Sequence, residues 1–270
     1  MVVAIIILII LCLLYVLSTM CRSDHSGMRR LQKWKYAHRG YHGEGAPENS
    51  MEAFRRARSE GFGIELDVHL LADGKLAVIH DSSLKRTTGE DGFIEDLTAM
   101  DLGNYKLEDT EQTIPLFADV LTLCKGRIPL IVELKPDRGN FAELCQKTCE
   151  LLDTYEGVYC IESFDPRCIY WLRKNRPEII RGQLSYNYPE KSKSAKEFFL
   201  KFLVKNQMLN FILYPDFIAY RFKDRKKLGN FLARKLWGAQ GVSWTLRSQK
   251  ELTESVNEGW LPIFEGFYPD

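Results

Sequence analysis

The chain has 270 residues, of which 45% are hydrophobic and 27% are charged, and its formal net charge at pH 7 is +1. This length supports a full hydrophobic core, and one α/β domain of about 200–250 residues fits it better than two small domains do. Because the charges nearly cancel, the composition does not support the strongly basic domain that general nucleic-acid binding requires. The seven cysteines are odd in number and include no CxxC pair, so they do not indicate a disulfide framework.

The first predicted element is an uncharged apolar segment, MVVAIIILIILCLLYVLSTMC, which covers residues 1–21. At about 1.5 Å per residue, a helix of this length crosses the ~30 Å hydrocarbon core of a bilayer, so we predict a single-pass transmembrane anchor. A cleaved signal peptide is the alternative, but the segment has neither a basic n-region nor a small-residue cleavage site. Basic residues follow the segment, and the positive-inside rule therefore places the rest of the chain on the cytoplasmic side of the membrane.

Residues 22–34 are predicted to form a basic linker, and residues 35–270 a barrel domain in which strands alternate with amphipathic helices. The predicted strands are 35–38, 63–70, 75–80, 129–135, 158–164, 179–184, 216–220, 241–246 and 262–267. The predicted helices are 49–60, 115–124, 140–154, 166–175, 193–209, 223–236 and 248–257.

The second and third predicted strands are separated only by a short turn at residues 73–74, Asp-Gly, so they form an antiparallel hairpin. This leaves eight strands for a barrel and one excursion at its rim. A two-residue turn at this position places His80 directly opposite Asp67, and the strand period of two puts Glu65 and Asp67 on one face.

Further charged residues interrupt the apolar strand PLIVELK, in which Glu133 and Lys135 share a face. Ionised side chains on a buried strand are costly unless they are paired or bind a metal ion. Glu65, Asp67 and Glu133 offer only oxygen ligands, which favour Mg²⁺ or Ca²⁺, with Mn²⁺ as a further candidate. The alternative is a set of ordinary ion pairs, Glu133 with Lys135 and Asp67 with His80.

Several short motifs occur in a characteristic order and spacing. They are A-H-R-G (37–40), P-E-N-S (47–50), G-I-E-L-D-V (63–68), V-I-H-D (78–81), L-K-R-T-T-G (84–89), I-P-L-F (114–117), I-V-E-L-K (131–135), I-E-S-F-D (161–165) and W-T-L (244–246). Together they resemble the glycerophosphodiester phosphodiesterase family, and the apolar start indicates a bacterial, membrane-anchored member. The resemblance implies a TIM-type (β/α)₈ barrel, preceded here by one N-terminal transmembrane helix, with its active site at the C-terminal ends of the strands.

The resemblance also implies roles for individual residues. It makes His38 and His80 the catalytic acid/base couple, and Glu65, Asp67 and Glu133 the ligands of a divalent cation. It makes Arg39 and Lys135 cations that contact the phosphate, and places Glu48 and Asn49 at or beside the metal site. The implied reaction is the metal-dependent hydrolysis of a glycerophosphodiester to an alcohol and sn-glycerol 3-phosphate.

The sequence leaves the roles of three further residues open. His42 has either a surface or a supporting role. His69 continues the face of Glu65 and Asp67, and its role is left open, with lining the pocket as one candidate. Trp244 forms either a substrate wall or a core aromatic that caps the barrel. The acidic ending that the family usually has near its last strand is replaced by FEGFYPD, residues 264–270.

The apolar residues 196–215 and the basic residues 221–235 match the family least. They form either a surface that rests on a membrane or a core helix followed by a solvated basic helix. The same apolar segment motivates a second function, that of a lysophospholipase D acting on lysophospholipids in the bilayer. A catalytically silent membrane module that binds phosphodiesters is a third, which the retained histidines and carboxylates disfavour.

Overall fold

The structure is a computed structural model that describes residues 1–23, 25–188 and 194–270. Its centre is a closed barrel of eight parallel strands, which confirms the predicted TIM-type (β/α)₈ fold. These strands are β1 Tyr36–Ala37, β2 Gly63–Leu70, β4 Leu130–Leu134, β5 Tyr159–Ser163, β6 Arg181–Ser185, β7 Phe217–Arg221, β8 Gln240–Leu246 and β9 Trp260–Phe264. Strand β1 pairs in parallel with both β2 and β9 and so closes the barrel.

Helices surround the barrel, and most of them follow a strand. They are α1 Val2–Ser18, α2 Met28–Leu31, α3 Met51–Ser59, α4 Lys85–Thr88, α5 Phe117–Cys124, α6 Phe141–Leu152, α7 Pro166–Asn175, α8 Ala195–Lys205, α9 Asn210–Leu213, α10 Leu228–Phe231 and α11 Gln249–Asn257. A π-helical turn, Leu232–Leu236, extends α10. Serine side chains mark several starts: Ser50 accepts a hydrogen bond from the backbone of α3, and Ser194 and Ser248 do the same for α8 and α11.

Strand β3, Leu76–Val78, is the ninth strand and pairs antiparallel with β2, as predicted. The predicted register is wrong by one residue. The connection is a three-residue loop closed by a hydrogen bond from Leu71 N to Lys75 O, with Gly74 in the left-handed conformation at φ +77°. Asp67 O consequently accepts its hydrogen bond from Ile79 N, and His80 lies beyond the end of β3 rather than opposite Asp67.

The N-terminal end of the barrel is closed by the residues that precede β1. Met28 and Leu31 of α2 are buried against the barrel interior, and Tyr36 donates a hydrogen bond to Leu31 O at 3.0 Å. Arg22 pairs with Asp216 at 2.5 Å at the start of β7. Residues 22–34, predicted as a linker, therefore contain packed structure that holds the end of α1 against the barrel.

Helix α1 is shorter than the predicted transmembrane segment at residues 1–21. It has 17 residues and ends at Ser18, where the Ser18 and Thr19 hydroxyls bond back to the carbonyls of Tyr15 and Val16. Within the described ranges, no helix combines the length and apolar character needed to cross a membrane. The predicted transmembrane helix is therefore not supported.

Candidate active site

A cavity of about 340 Å³ opens at the C-terminal ends of the barrel strands. It draws residues from all eight barrel strands and β3, or from the loops that follow them. They include the predicted site residues His38, Arg39, Glu65, His80 and Glu133. The remaining wall is formed by Glu162, Phe164, Leu184, Arg221, Phe222, Lys223, Trp244, Thr245, Arg247 and Ile263. Ligand sites in barrel enzymes lie at this end, where side chains from separate strands converge.

The loop after β1 holds its polar residues in a strained backbone. Arg39 and Asn49 both have φ of 56°, a left-handed conformation that is uncommon for residues other than glycine. Asn49 N donates to Arg39 O at 2.9 Å, which ties the two ends of the loop together. Gly40 is required at φ +80°, because a Cβ there would lie 2.9 Å from the Cβ of Ala53 in α3. This loop therefore directs His38 and Arg39 to the cavity mouth.

Three buried carboxylates cluster at the cavity, and two of them, Glu65 and Glu133, line it. One oxygen each from Glu65, Asp67 and Glu133 lies within 4.8 Å of the others. Lys135 Nζ lies 3.1 Å from Asp67 Oδ1 and 2.6 Å from Glu133 Oε1, so this predicted phosphate cation already contacts two of the predicted metal ligands. Asn49 Nδ2 donates to Asp67 Oδ2 at 2.8 Å.

The three carboxyl groups of this acidic cluster have pKa values shifted in different directions. Burial and the neighbouring carboxylates raise the pKa of Glu65 well above its usual value, and burial raises the pKa of Glu133 to about 7. Burial acts in the same direction on Asp67, but Lys135 and other nearby cations hold its pKa low. An additional positive charge would relieve the remaining repulsion, and the oxygen-only donor set suits a hard divalent cation.

Each of the two predicted catalytic histidines has a carboxylate on Nδ1. His38 Nδ1 lies 2.6 Å from Glu265 Oε2, and His80 Nδ1 lies 2.5 Å from Asp81 Oδ1. This leaves Nε2 of each ring as the atom available for proton exchange, and His38 Nε2 lies 4.0 Å from Glu65. Burial lowers the pKa of both imidazoles, which favours their neutral forms.

The loops that carry the two histidines are joined by ion pairs. Glu48 accepts from Arg39 Nη1 at 2.9 Å and from Arg86 Nη2 at 2.6 Å. Arg86 Nε also contacts Asp81 at 2.5 Å. Glu48 therefore lies between two arginines and not among the three clustered carboxylates, and it links the His38 loop to the residue that orients His80.

His69 lies behind the site and does not line the cavity. It is fully buried, and its Nδ1 lies 2.7 Å from Glu95 Oε1, while its Nε2 lies 3.2 Å from the backbone oxygen of His80. Ser82 donates to the other Glu95 oxygen at 2.7 Å. Of the roles left open for His69, lining the pocket is therefore ruled out, because its ring turns toward the β3 side and supports the His80 peptide.

Two acidic residues of the site were not predicted from the sequence. Glu162 on β5 is buried, and its Oε2 has no hydrogen-bond partner among the described residues. A lone acid in the apolar strand VYCIESF was the available signal. Glu265 follows β9 in the segment FEGFYPD and is the partner of His38. His42 lies beside this pair, since ligand atoms of His38, His42 and Glu265 are all within 4.8 Å of one another.

Trp244 forms part of the cavity wall. Its ring lies 5.5 Å from that of Phe164 in an edge-to-face arrangement and 6.3 Å from that of Tyr186. Its indole Nε1 is buried with no hydrogen-bond partner in the part of the chain that the structure describes. The geometry therefore places Trp244 where a bound molecule would contact it.

The chain is similar to known proteins over the residues that form this site. A family model described as the glycerophosphoryl diester phosphodiesterase family matches residues 38–257. The chain belongs to the glycerophosphoryl diester phosphodiesterase family. The match contains both cavity histidines and all three clustered carboxylates, but it ends before Glu265.

Relatives and solved structures extend the comparison. A glycerophosphodiester phosphodiesterase of Bacillus altitudinis is 36% identical over 155 residues, which cover 53% of this chain and 63% of the relative. Matches to two further bacterial relatives also span only 65% of their lengths. A lysophospholipase D of Rattus norvegicus is 33% identical over 133 residues, 44% of this chain and 41% of that protein. The structure of an Oleispira antarctica phosphodiesterase with sn-glycerol-3-phosphate has a TM-score of 0.72 at 22% identity and covers 88% of this chain and 94% of its own, which shows the shared fold.

The Glu265 carboxylate raises the pKa of His38, and this effect can be tested. It stabilises the imidazolium form of His38, and the same contact lowers the pKa of Glu265 to about 2 against the opposing effect of burial. We therefore expect Glu265→Gln to lower the pKa of His38 further, as measured by NMR titration of the imidazole. Glu143→Gln, at an exposed carboxylate on α6, is the matched control. An unchanged or raised His38 pKa in Glu265→Gln would contradict this pairing.

Proposed function

We propose that this protein hydrolyses glycerophosphodiesters to an alcohol and sn-glycerol 3-phosphate with the help of a divalent cation. The observation that carries the proposal is the convergence of His38 and His80 on a cluster of three buried carboxylates within one cavity. Membership of the phosphodiesterase family supports it. The glycerol-3-phosphate bound in the Oleispira structure indicates the kind of product that this fold can hold.

Glu65, Asp67 and Glu133 are the residues that would hold the cation. Their oxygens fit Mg²⁺ or Ca²⁺, and Mn²⁺ is a further candidate. When bound, such an ion polarises a phosphoryl oxygen and stabilises the negative charge that accumulates on the phosphate. Arg39 and Lys135 contribute further positive charge beside the same position, and Asn49 holds Asp67 in place through its amide.

His38 and His80 would transfer the protons. One imidazole accepts the proton of the attacking hydroxyl, either of water or of the neighbouring glycerol oxygen, and the other donates a proton to the departing alcohol oxygen. The carboxylates of Glu265 and Asp81 keep each ring oriented with Nε2 free. The anionic phosphate would stabilise the imidazolium that must donate its proton, and so offset the effect of burial on its pKa.

A lysophospholipase D activity is the second candidate. Three aromatic side chains, Phe164, Phe222 and Trp244, line the cavity beside its charged residues. Such a surface can contact the hydrocarbon of a lysophospholipid, which a small water-soluble diester lacks. The name of the Rattus norvegicus relative points the same way.

We propose that the barrel faces the cytoplasm. All seven cysteines are free thiols, which is typical of a reducing compartment. Six of these thiols are buried, so topology is best tested with an added surface cysteine, Lys250→Cys, in a Cys12→Ser background. We expect no labelling by a membrane-impermeant maleimide on intact cells, and labelling would overturn this placement.

The catalytic proposal predicts cation-dependent release of sn-glycerol 3-phosphate. The full chain should act on glycerophosphocholine or glycerophosphoethanolamine with Mg²⁺, Ca²⁺ or Mn²⁺, and chelation should abolish the activity. His38→Ala should lower kcat by a factor of about 10²–10⁴, the usual contribution of a general acid or base. His25→Ala is the matched control, because His25 contacts Glu178 outside the cavity. Activity on lysophosphatidylcholine alone would favour the second candidate, and no hydrolysis of any of these substrates would refute both.

Cation binding should distinguish Glu133 from its neighbour Glu162. Burial and Glu133 raise the pKa of Glu162 well above its usual value, and its carboxylate is not part of the cluster formed by Glu65, Asp67 and Glu133. We expect Glu133→Gln to weaken Mn²⁺ binding at least tenfold in calorimetry, and the matched Glu162→Gln to change it by less than about threefold. Equal weakening would make Glu162 a fourth charged ligand, whereas no change in either variant would place the cation elsewhere.

The affinity for Mn²⁺ should depend on pH. Because the pKa of Glu133 is about 7 before the cation binds, a proton must leave this group below that pH. Affinity should therefore fall as the pH is lowered through 7 and approach a plateau above it, with proton release at the lower pH. An affinity independent of pH between 6 and 8 would contradict a role for Glu133 as a ligand.

A further inference from the structure

Helix α1 is apolar on every side and is not covered by the barrel. None of its 17 residues is buried, and none is charged. A helix that is apolar all round belongs in a large protein core or in lipid, because no side of it is suited to water. The sequence of α1 thus requires an apolar environment that the described part of this chain does not supply.

A second set of exposed apolar residues lies beside the point where α1 leaves the barrel. Helix α8 has Val204 as its one buried residue and exposes its aromatic side chains, with Phe199 60% exposed. A core helix was one of two alternatives for residues 196–215, and for α8 it is wrong. Helices α9 and α10 add further exposed side chains. We call six of these residues the apolar collar: Phe198, Phe199, Phe202, Phe211, Leu228 and Phe231.

Direct contacts place the collar next to α1. Tyr15 Oη of α1 donates to Asn206 O, which follows α8, at 3.4 Å. Trp237, which follows the π-helical turn after α10, donates through Nε1 to Val16 O at 3.1 Å. A Cβ on Gly229 of α10 would lie 2.5 Å from Asn206 O and 3.1 Å from Tyr15 Oη, so the three segments meet without a gap.

The charge around the collar identifies its partner. Residues 194–237 contain ten Lys or Arg and three Asp or Glu, although the whole chain has a net charge of only +1. Lys196, Lys226 and Lys235 of this stretch are exposed. Basic residues beside exposed aromatic side chains are typical of proteins that rest on anionic lipid. A protein partner would cover one side of α1, whereas acyl chains can surround it.

We propose that α1 and the apolar collar dock this protein on an anionic lipid leaflet, with α1 inserted and the collar in the interface. The cavity wall and the collar are linked through the chain, because Phe222 and Lys223 of the wall precede α10 by only a few residues. Docking in this way holds the cavity near the lipid surface. Lipid binding by α1 and the collar does not depend on the proposed hydrolysis.

The experiment uses one polarity-sensitive fluorophore on the full chain. The native exposed thiol is Cys12 on α1, so Cys12→Ser with Phe199→Cys places the label in the collar. Cys12→Ser with Met100→Cys is the matched control, because Met100 is 91% exposed on the loop beside the β2–β3 hairpin. The labelled proteins are mixed with vesicles of phosphatidylcholine containing phosphatidylglycerol, and quenching by doxyl-labelled lipid is measured.

We expect the label at position 199 to show blue-shifted emission and strong quenching by the lipid, and the label at position 100 to show little quenching. Binding to vesicles of phosphatidylcholine alone should be on the order of tenfold weaker. Phe198→Ser with Phe231→Ser should weaken binding in the anionic vesicles without changing the circular dichroism spectrum. A label at 199 that stays in water while a label on Cys12 is quenched would overturn the role of the collar. Protection of the label at 199 by dimer formation without vesicles would also overturn it, because a second copy would then be the partner.

Discussion

The candidate site depends on the burial of negative charge across three neighbouring strands. Asp67 on β2 is the register partner of Glu133 on β4, and Glu133 is the register partner of Glu162 on β5. A row of adjacent carboxylates inside a barrel is unstable unless cations or protons balance it. Lys135 balances part of the charge, and the proposed divalent cation would balance the remainder. The positions of Arg39, Asn49 and the two histidines follow from this arrangement.

Much of the fold and of this acidic cluster could be predicted from the sequence. The alternation of β-branched strands and amphipathic segments defined all nine strands to within a few residues, because buried parallel strands have a strong apolar signal. Glu65 and Glu133 were recognisable because each interrupts such a strand with a charge. Their common location follows from the barrel itself, since parallel strands all present their C-terminal ends at the same edge.

Other features depend on tertiary contacts that a sequence pattern does not encode. The hairpin register shifted by one residue because Gly74 takes a left-handed conformation within a three-residue loop. Glu265 meets His38 only because β9 pairs with β1 to close the barrel, and the two residues are 227 positions apart. Helix α8 is amphipathic enough to be read as a core helix, and only its packing shows that its aromatic side chains face outward.

The most direct test of this account is to locate the cation itself. A crystal of the protein soaked with Mn²⁺ should give an anomalous-difference peak bound by oxygens of Glu65, Asp67 and Glu133, with Glu162 and both imidazoles outside the metal's coordination shell. A peak bound by His38 or His80 would contradict their role in proton transfer. The absence of any peak among the three carboxylates at saturating Mn²⁺ would contradict the central claim that buried negative charge forms a cation site.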